Sequence, residues 1–225
     1  PLLEMGYPIL VATLVQAILV SFILILLPLV VLRRGDGRPS SAARRRSSLL
    51  YFSMLGLAFL FIEMAFIQRF TLFLHHPLYS ISVVLAAFLL FAGIGSAYSN
   101  RFVKGEKSVA AVKWAIAGII TLGLGYLLLL EPLFNALAGV SIMLKAIISV
   151  ALIAPLGFCM GMPFPLGLAR LNRSAPEIIP WAWGINGCAS VISAVLATLL
   201  AIHLGFSMVV LSALVLYALA AVSVP

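Results

Sequence analysis

The sequence predicts an all-α membrane protein: a polytopic bundle of about seven transmembrane helices in a single domain, residues 1–225. Hydrophobic residues make up 64% of the chain and charged residues 9%, against roughly 45–50% and about 25% in soluble domains. Apolar runs of about 20 residues, the length of a membrane-spanning helix, recur along the chain. The runs are continuous and do not alternate with period two, which excludes a transmembrane β-barrel.

Charged and Gly/Pro-rich segments divide the apolar runs. We predict spans at about 6–32, 49–74, 78–97, 114–130, 142–168, 181–203 and 207–224, with basic loops at 33–48, 98–113 and 169–180. Twelve of the 14 Lys and Arg residues fall in these loops, which leaves only Arg69 and Lys145. Because basic loops mark the cytoplasmic side, we expect them inside and residues 75–77 and 131–145 outside.

The net charge of +8 therefore indicates helix orientation and contact with a lipid bilayer, and we expect no nucleic-acid partner. The chain begins at Pro1 without a Met and ends in an apolar run. We expect it to be a fragment or a processed portion of a longer protein.

The stretch around which the chain is organised is 55–69, LGLAFLFIEMAFIQR, which carries Glu63, Gln68 and Arg69 inside the second span. Ionisable groups at bilayer depth cost several kcal/mol unless they are paired or face a protein interior. Glu63 and Arg69 lie about 120° apart around a helix axis and about 9 Å apart along it, so each needs partners on other helices. A buried network that fixes packing, a substrate or proton site, and an Arg69 that snorkels to the interface remain alternatives.

The fifth span is predicted to be broken, because prolines and glycines cluster in PLGFCMGMPFPLG: Pro155, Gly157, Gly161, Pro163, Pro165 and Gly167. Internal prolines remove backbone hydrogen bonds, and such breaks persist at membrane depth where protein or water satisfies the freed carbonyls. We expect Asn186, one turn into the sixth span, to bond carbonyls of 162–165. Glu63 is expected to face the bundle and to meet 162–165 or Asn186, either protonated or accepting hydrogen bonds.

Metal and cofactor chemistry has little support in the sequence. His75 and His76 are weak metal candidates, because adjacent turn residues point in different directions and no third ligand lies near them in the sequence. There is no phosphate-binding Gly-rich loop, HExxH or CxxC. We predict no cofactor, no metal and no catalytic residue in this chain, and whether the whole protein is an enzyme stays open.

Three motifs resemble the membrane part of bacterial polytopic spermidine synthase-like proteins. They are FLFIEMAFIQRFTLFLHHPLYSISVVLAAFLLFAGIGS at 59–96, PLGFCMGMPFPLG at 155–167 and the Asn186-Gly187 helix start in WAWGINGCASVISAVLA. In that family, transmembrane helices are joined to a methyltransferase-fold domain that holds the adenosyl-binding loop and the catalytic acids, none of which is present here. The resemblance implies the C-terminal membrane portion of such a protein, in a bacterial inner membrane, with aminopropyl transfer belonging to the attached domain.

Two functions follow as hypotheses. The first is a scaffold for a soluble spermidine synthase-like domain upstream of Pro1 or for other membrane subunits, because the chain has a large helical core and no catalytic set. The alternative is a transporter or channel-like domain for a small cation or a polyamine, which would use Glu63 and the broken fifth helix, since discontinuous helices beside intramembrane charge are typical of transport sites.

Overall fold

A computed structural model describes residues 2–23, 27, 42–103 and 107–225, and these residues contain helices and no strand. Their α-helices are α1 (Leu2–Ser21), α2 (Ala42–Leu74), α3 (Pro77–Ser99), α4 (Lys107–Ala136), α5 (Ile142–Met160), α6 (Pro163–Ser174), α7 (Ile179–Leu204) and α8 (Phe206–Val222). One-turn 3-10 helices at Asn100–Phe102 and Pro176–Ile178 follow α3 and precede α7. The predicted fold class, an all-α bundle, is confirmed.

Within the described residues, five helical stretches are long and apolar enough to cross a membrane: Arg45–Leu74, Pro77–Phe102, Lys107–Ala136, Ile142–Ser174 and Pro176–Leu204. Two apolar helices, Tyr7–Ser21 and Phe206–Val222, are shorter. Residues 24–26 and 28–32 of the predicted first span lie outside the described residues.

Helix extends further than the sequence suggested at each basic segment. α2 begins at Ala42 within predicted loop 33–48, α4 begins at Lys107 within 98–113, and α6 runs to Ser174 within 169–180. These parts are rich in Ala, Leu, Arg and Lys, which favour helix. α4 also continues to Ala136 with Pro132 inside it, beyond the end predicted at residue 130. Helix therefore extends into each of the three predicted basic loops.

The break in the fifth span is narrower than its six prolines and glycines suggested. Pro155 and Gly157 lie inside α5, which ends at Met160. α6 begins directly at Pro163, where a proline is tolerated because the first helical N–H has no partner in the helix. The interruption is thus confined to Gly161 and Met162, and Pro165 and Gly167 belong to α6.

The centre of the bundle is α2, which packs against α3, α7 and α8 and touches α5 and α6. In its most apolar window, 56% of α2 is buried inside the protein, against 22–28% for the other four long stretches. Around it, α8 also packs on α4, and α3 packs on α5. The stretch singled out in the sequence therefore lies on the most enclosed helix.

The described parts of the three basic segments come together at one end of the bundle. There, the Ser47 hydroxyl donates a hydrogen bond to the Ser223 carbonyl, and Arg170 donates to the Pro225 carbonyl and to Ser108 Oγ. Arg45 lies 4.8 Å from the ring centre of Trp181. We call this the basic end and the opposite end the distal end.

Candidate functional site

Glu63 lies in the second half of α2 and inside the bundle, with 6% of its surface exposed. Within the part of the chain that the structure describes, its carboxyl group makes no hydrogen bond and no ion pair. Glu63 is therefore a buried residue whose carboxyl group has no partner among the described residues, which is unfavourable for a charge.

Arg69 turns away from Glu63 towards the distal end. Its Nη2 atom donates to Oε2 of Glu131 on α4 at 2.9 Å, and its guanidinium carbon lies 5.2 Å from the ring centre of Phe206. The neighbouring Gln68 side chain is exposed. Arg69 thus has a partner on another helix, as its distance from Glu63 required.

Asn186 bonds a different carbonyl from the one expected. Its Nδ2 atom donates to the Phe52 carbonyl of α2 at 3.0 Å, and not to the carbonyls of 162–165. Two serines further along α7 continue this pattern: Ser190 Oγ lies 3.5 Å from the Gly56 carbonyl and Ser193 Oγ lies 2.7 Å from the Leu57 carbonyl. We call Asn186, Ser190 and Ser193 the α7 polar seam.

The α7 polar seam forms because α2 and α7 approach closely at Gly56. A Cβ atom added to Gly56 would lie 2.6 Å from the backbone oxygen of Asn186. Short side chains can then reach helix carbonyls that already accept one intrahelical bond but keep a second lone pair. The seam binds α7 to α2 along about two turns.

Tyr51 of α2 contacts the helix break, and no pattern in the sequence pointed to this residue. Its hydroxyl donates to the Pro163 carbonyl at 2.7 Å. Beside the break lies a cavity of about 350 Å³, whose walls include Gly161 and Pro165 together with Asn186, Ser190 and Tyr217. Most of its other lining residues are apolar.

The four polar residues predicted to form an intramembrane network lie apart. Asn186 is held at the level of Phe52, and Glu63 lies eleven residues further along α2, which is about 16 Å. Among the described residues, neither Gln68 nor Arg69 bonds to either of them. Glu63 is not among the residues that line the cavity at the break. The arrangement therefore consists of separate interhelical contacts and one solitary carboxyl group.

The two histidines lie at the turn between α2 and α3, where His75 ends α2 through its backbone conformation. His75 has a φ of 58°, and its N–H donates to the Thr71 carbonyl at 3.0 Å, which is the geometry of a left-handed helix C-cap. Both His75 and His76 are exposed. The described residues contain no group of three His, Cys, Asp or Glu that could hold a metal ion.

Lys145 is a further buried charge, with 5% of its surface exposed. Its ammonium nitrogen lies 5.1 Å from the ring centre of Phe73. It lines a cavity at the distal end together with Arg69 and Glu131. The sequence marked Lys145 only as one of two basic residues outside the basic segments, and could not show that the two would line one cavity.

Comparison of the chain with protein-family models, with curated proteins and with solved structures finds no match.

Proposed function

We propose that this chain is the membrane domain of a larger protein or complex and that it acts as a scaffold. It would hold a soluble spermidine synthase-like domain, or other membrane subunits, at the bacterial inner membrane. The observation that carries the proposal is that polar side chains inside the bundle bond backbone carbonyls of neighbouring helices. The links run from Asn186 to Phe52, from Ser193 to Leu57, from Tyr51 to Pro163 and from Tyr126 to Leu152.

Such contacts make a rigid bundle. Each interhelical hydrogen bond in a membrane contributes about 0.6 to 2 kcal/mol, and each one recorded here engages a different position on the neighbouring helix. A transport or catalytic site instead requires several polar groups that converge on one point. The dispersed pattern is what a structural domain needs.

The basic end is the surface that would meet a soluble partner. Arg45, Arg46, Arg101, Lys113 and Arg173 are all exposed there or in its segments. By the positive-inside rule this end faces the cytoplasm, where a methyltransferase-fold domain would lie. The resemblance of 59–96, 155–167 and the Asn186-Gly187 helix start is the support for a spermidine synthase-like partner.

The test uses the chain reconstituted in lipid vesicles. Decarboxylated S-adenosylmethionine and putrescine are supplied, and spermidine formation and uptake of labelled putrescine are measured in parallel. The scaffold proposal expects neither activity, and expects a soluble spermidine synthase-like domain to bind vesicles with the chain but not empty vesicles. Turnover by the isolated chain, or failure of both that domain and any membrane subunit to associate, contradicts it.

Transport is the second candidate, and the cavity of about 350 Å³ beside the helix break favours it. A small cation or a polyamine entering there would find Asn186 and Tyr217 in the wall. Glu63, the buried acid of α2, lies outside the lining of this cavity and would act further along the path. Uptake that is lost in Glu63→Gln but retained in Glu177→Gln would establish transport. Absence of uptake by the wild-type chain would dismiss it.

A further inference from the structure

We propose that the cavity at the distal end binds an oxyanion, a phosphate or carboxylate group, between Arg69 and Lys145. The cavity has a volume of about 240 Å³, and His75, Glu131 and Asn135 also line it. This space accommodates a phosphate group or a small carboxylate. We call it the distal cavity.

The distribution of charge first singles out this cavity. Arg69 and Lys145 are the only Lys or Arg residues outside the three basic segments. They are far apart in the sequence, on α2 and α5, yet both line the distal cavity. Positive residues are disfavoured on the side of a membrane opposite the basic loops. Two that converge there call for a compensating negative charge.

Several N–H donors of Arg69 and Lys145 have no hydrogen-bond acceptor among the described residues. The Lys145 ammonium has three N–H donors and makes no hydrogen bond to any described residue, although only 5% of the residue is exposed. Arg69 Nε is buried and has no acceptor among the described residues. Among the described residues, Arg69 Nε is the one fully enclosed side-chain N or O atom without a partner, so the Lys145 ammonium and the second terminal nitrogen of the Arg69 guanidinium remain accessible. A cationic group in a buried residue is costly without an acceptor, and an oxyanion in the cavity would accept from these accessible donors.

Glu131, the carboxylate that lines the cavity, does not satisfy both Arg69 and Lys145. Glu131 bonds only Nη2 of Arg69, and 72% of its side chain is exposed, so the pair is of the weak, solvent-screened kind. With Arg69 and Lys145 charged and Glu131 ionised, the cavity retains one positive charge. α5 begins at Ile142, three residues before Lys145, so the positive end of its helix dipole lies beside the cavity.

In a chain that spans the membrane, as the proposed function assumes, the distal end lies where lipid headgroups meet water, so the oxyanion has two possible sources. One is the phosphate of an anionic phospholipid, and the other is a soluble anion. Both present the same chemistry to Arg69 and Lys145.

The experiment uses the whole chain in a maltoside detergent, which contains no phosphate. Inorganic phosphate is titrated by calorimetry in one arm, and retention of added phosphatidylglycerol is measured by native mass spectrometry in the other. Phosphate binding assigns a soluble anion, retention of the lipid alone assigns a headgroup, and either result supports the site. Binding of neither by the wild-type chain overturns it.

Three variants locate the site. Lys145→Gln should weaken binding about tenfold, the effect of one charge-assisted hydrogen bond. Lys113→Gln removes the same charge from an exposed residue of α4 nearer the basic end and should leave binding unchanged. Glu131→Gln, on an exposed side chain, should strengthen binding severalfold because it frees Arg69. Equal effects of Lys145→Gln and Lys113→Gln, or weaker binding in Glu131→Gln, would overturn the assignment.

Discussion

Tyr51 donates its hydroxyl hydrogen to the carbonyl of Pro163 at 2.7 Å, which joins the central helix to the first residue after the helix break. The Tyr51 side chain is fully buried. Gly167, one turn after Pro163, makes room for its ring: a Cβ atom there would lie 2.5 Å from Tyr51 Cε1. The break is thus stabilised from α2 and not from α7, where Asn186 was expected to serve.

Tyr51→Phe should lower the free energy of unfolding by about 1 to 2 kcal/mol, because it removes this bond and keeps the ring. Tyr79→Phe is the matched control, since Tyr79 is 42% exposed and its hydroxyl has no partner among the described residues. Thermal or denaturant unfolding in detergent measures both. Equal stability of the two variants would show that the hydroxyl of Tyr51 contributes nothing to the break.

Gly95→Ala should lower the free energy of unfolding by about 1 to 3 kcal/mol, because it disturbs the packing of α3 on α5. A Cβ atom at Gly95 would collide with the backbone carbonyl of Phe158 on α5, whereas one at Gly93 would meet nothing within 4 Å. Gly93→Ala, on the same helix, should leave stability unchanged or raise it slightly. Of these two glycines, only Gly95 lies at the close approach of α3 to α5. A similar loss in both variants would refute the stated contact.

Glu63→Leu should leave the free energy of unfolding unchanged or raise it by about 1 kcal/mol or more. The carboxyl group has no hydrogen-bond partner among the described residues, and a buried polar group without partners is disfavoured relative to an apolar one of similar size. Asn186→Leu should instead cost about 1 kcal/mol, because it removes the bond to the Phe52 carbonyl. A marked loss of stability in Glu63→Leu would reveal a partner for the carboxyl group.

His75→Gly should preserve stability or increase it slightly, whereas His75→Val should lower it by about 1 to 2 kcal/mol. The φ of 58° is accessible to glycine without strain and unfavourable for a β-branched residue. Melting temperatures of the two variants test this. A more stable His75→Val variant would contradict the backbone role, and loss of stability on adding a chelator would restore the metal hypothesis.

Composition and the spacing of apolar runs were sufficient for the fold class, because bilayer thickness fixes helix length. The presence of Glu63 in an apolar span also predicted that α2 lies inside the bundle, and α2 is the most enclosed of the long helices. Partners could not be predicted in the same way. Whether Asn186 reaches Phe52 or Pro163 depends on how closely α7 approaches Gly56. Whether Arg69 and Lys145 line one cavity depends on how α2 and α5 lie in space. Neither the approach of α7 to α2 nor the relative position of α2 and α5 can be derived from local sequence.

The central place of α2 also has a consequence for biogenesis. Its main neighbours include α7 and α8, and the bond between Phe52 and Asn186 spans 134 residues. At about 5–20 residues per second, the ribosome needs on the order of ten seconds to supply these helices after α2 has been made. During that interval Glu63 lacks the helices that enclose it in the finished bundle. A chain that terminates before α7 would therefore leave α2 without its main cover, and we expect it to be degraded and not to persist as a smaller bundle.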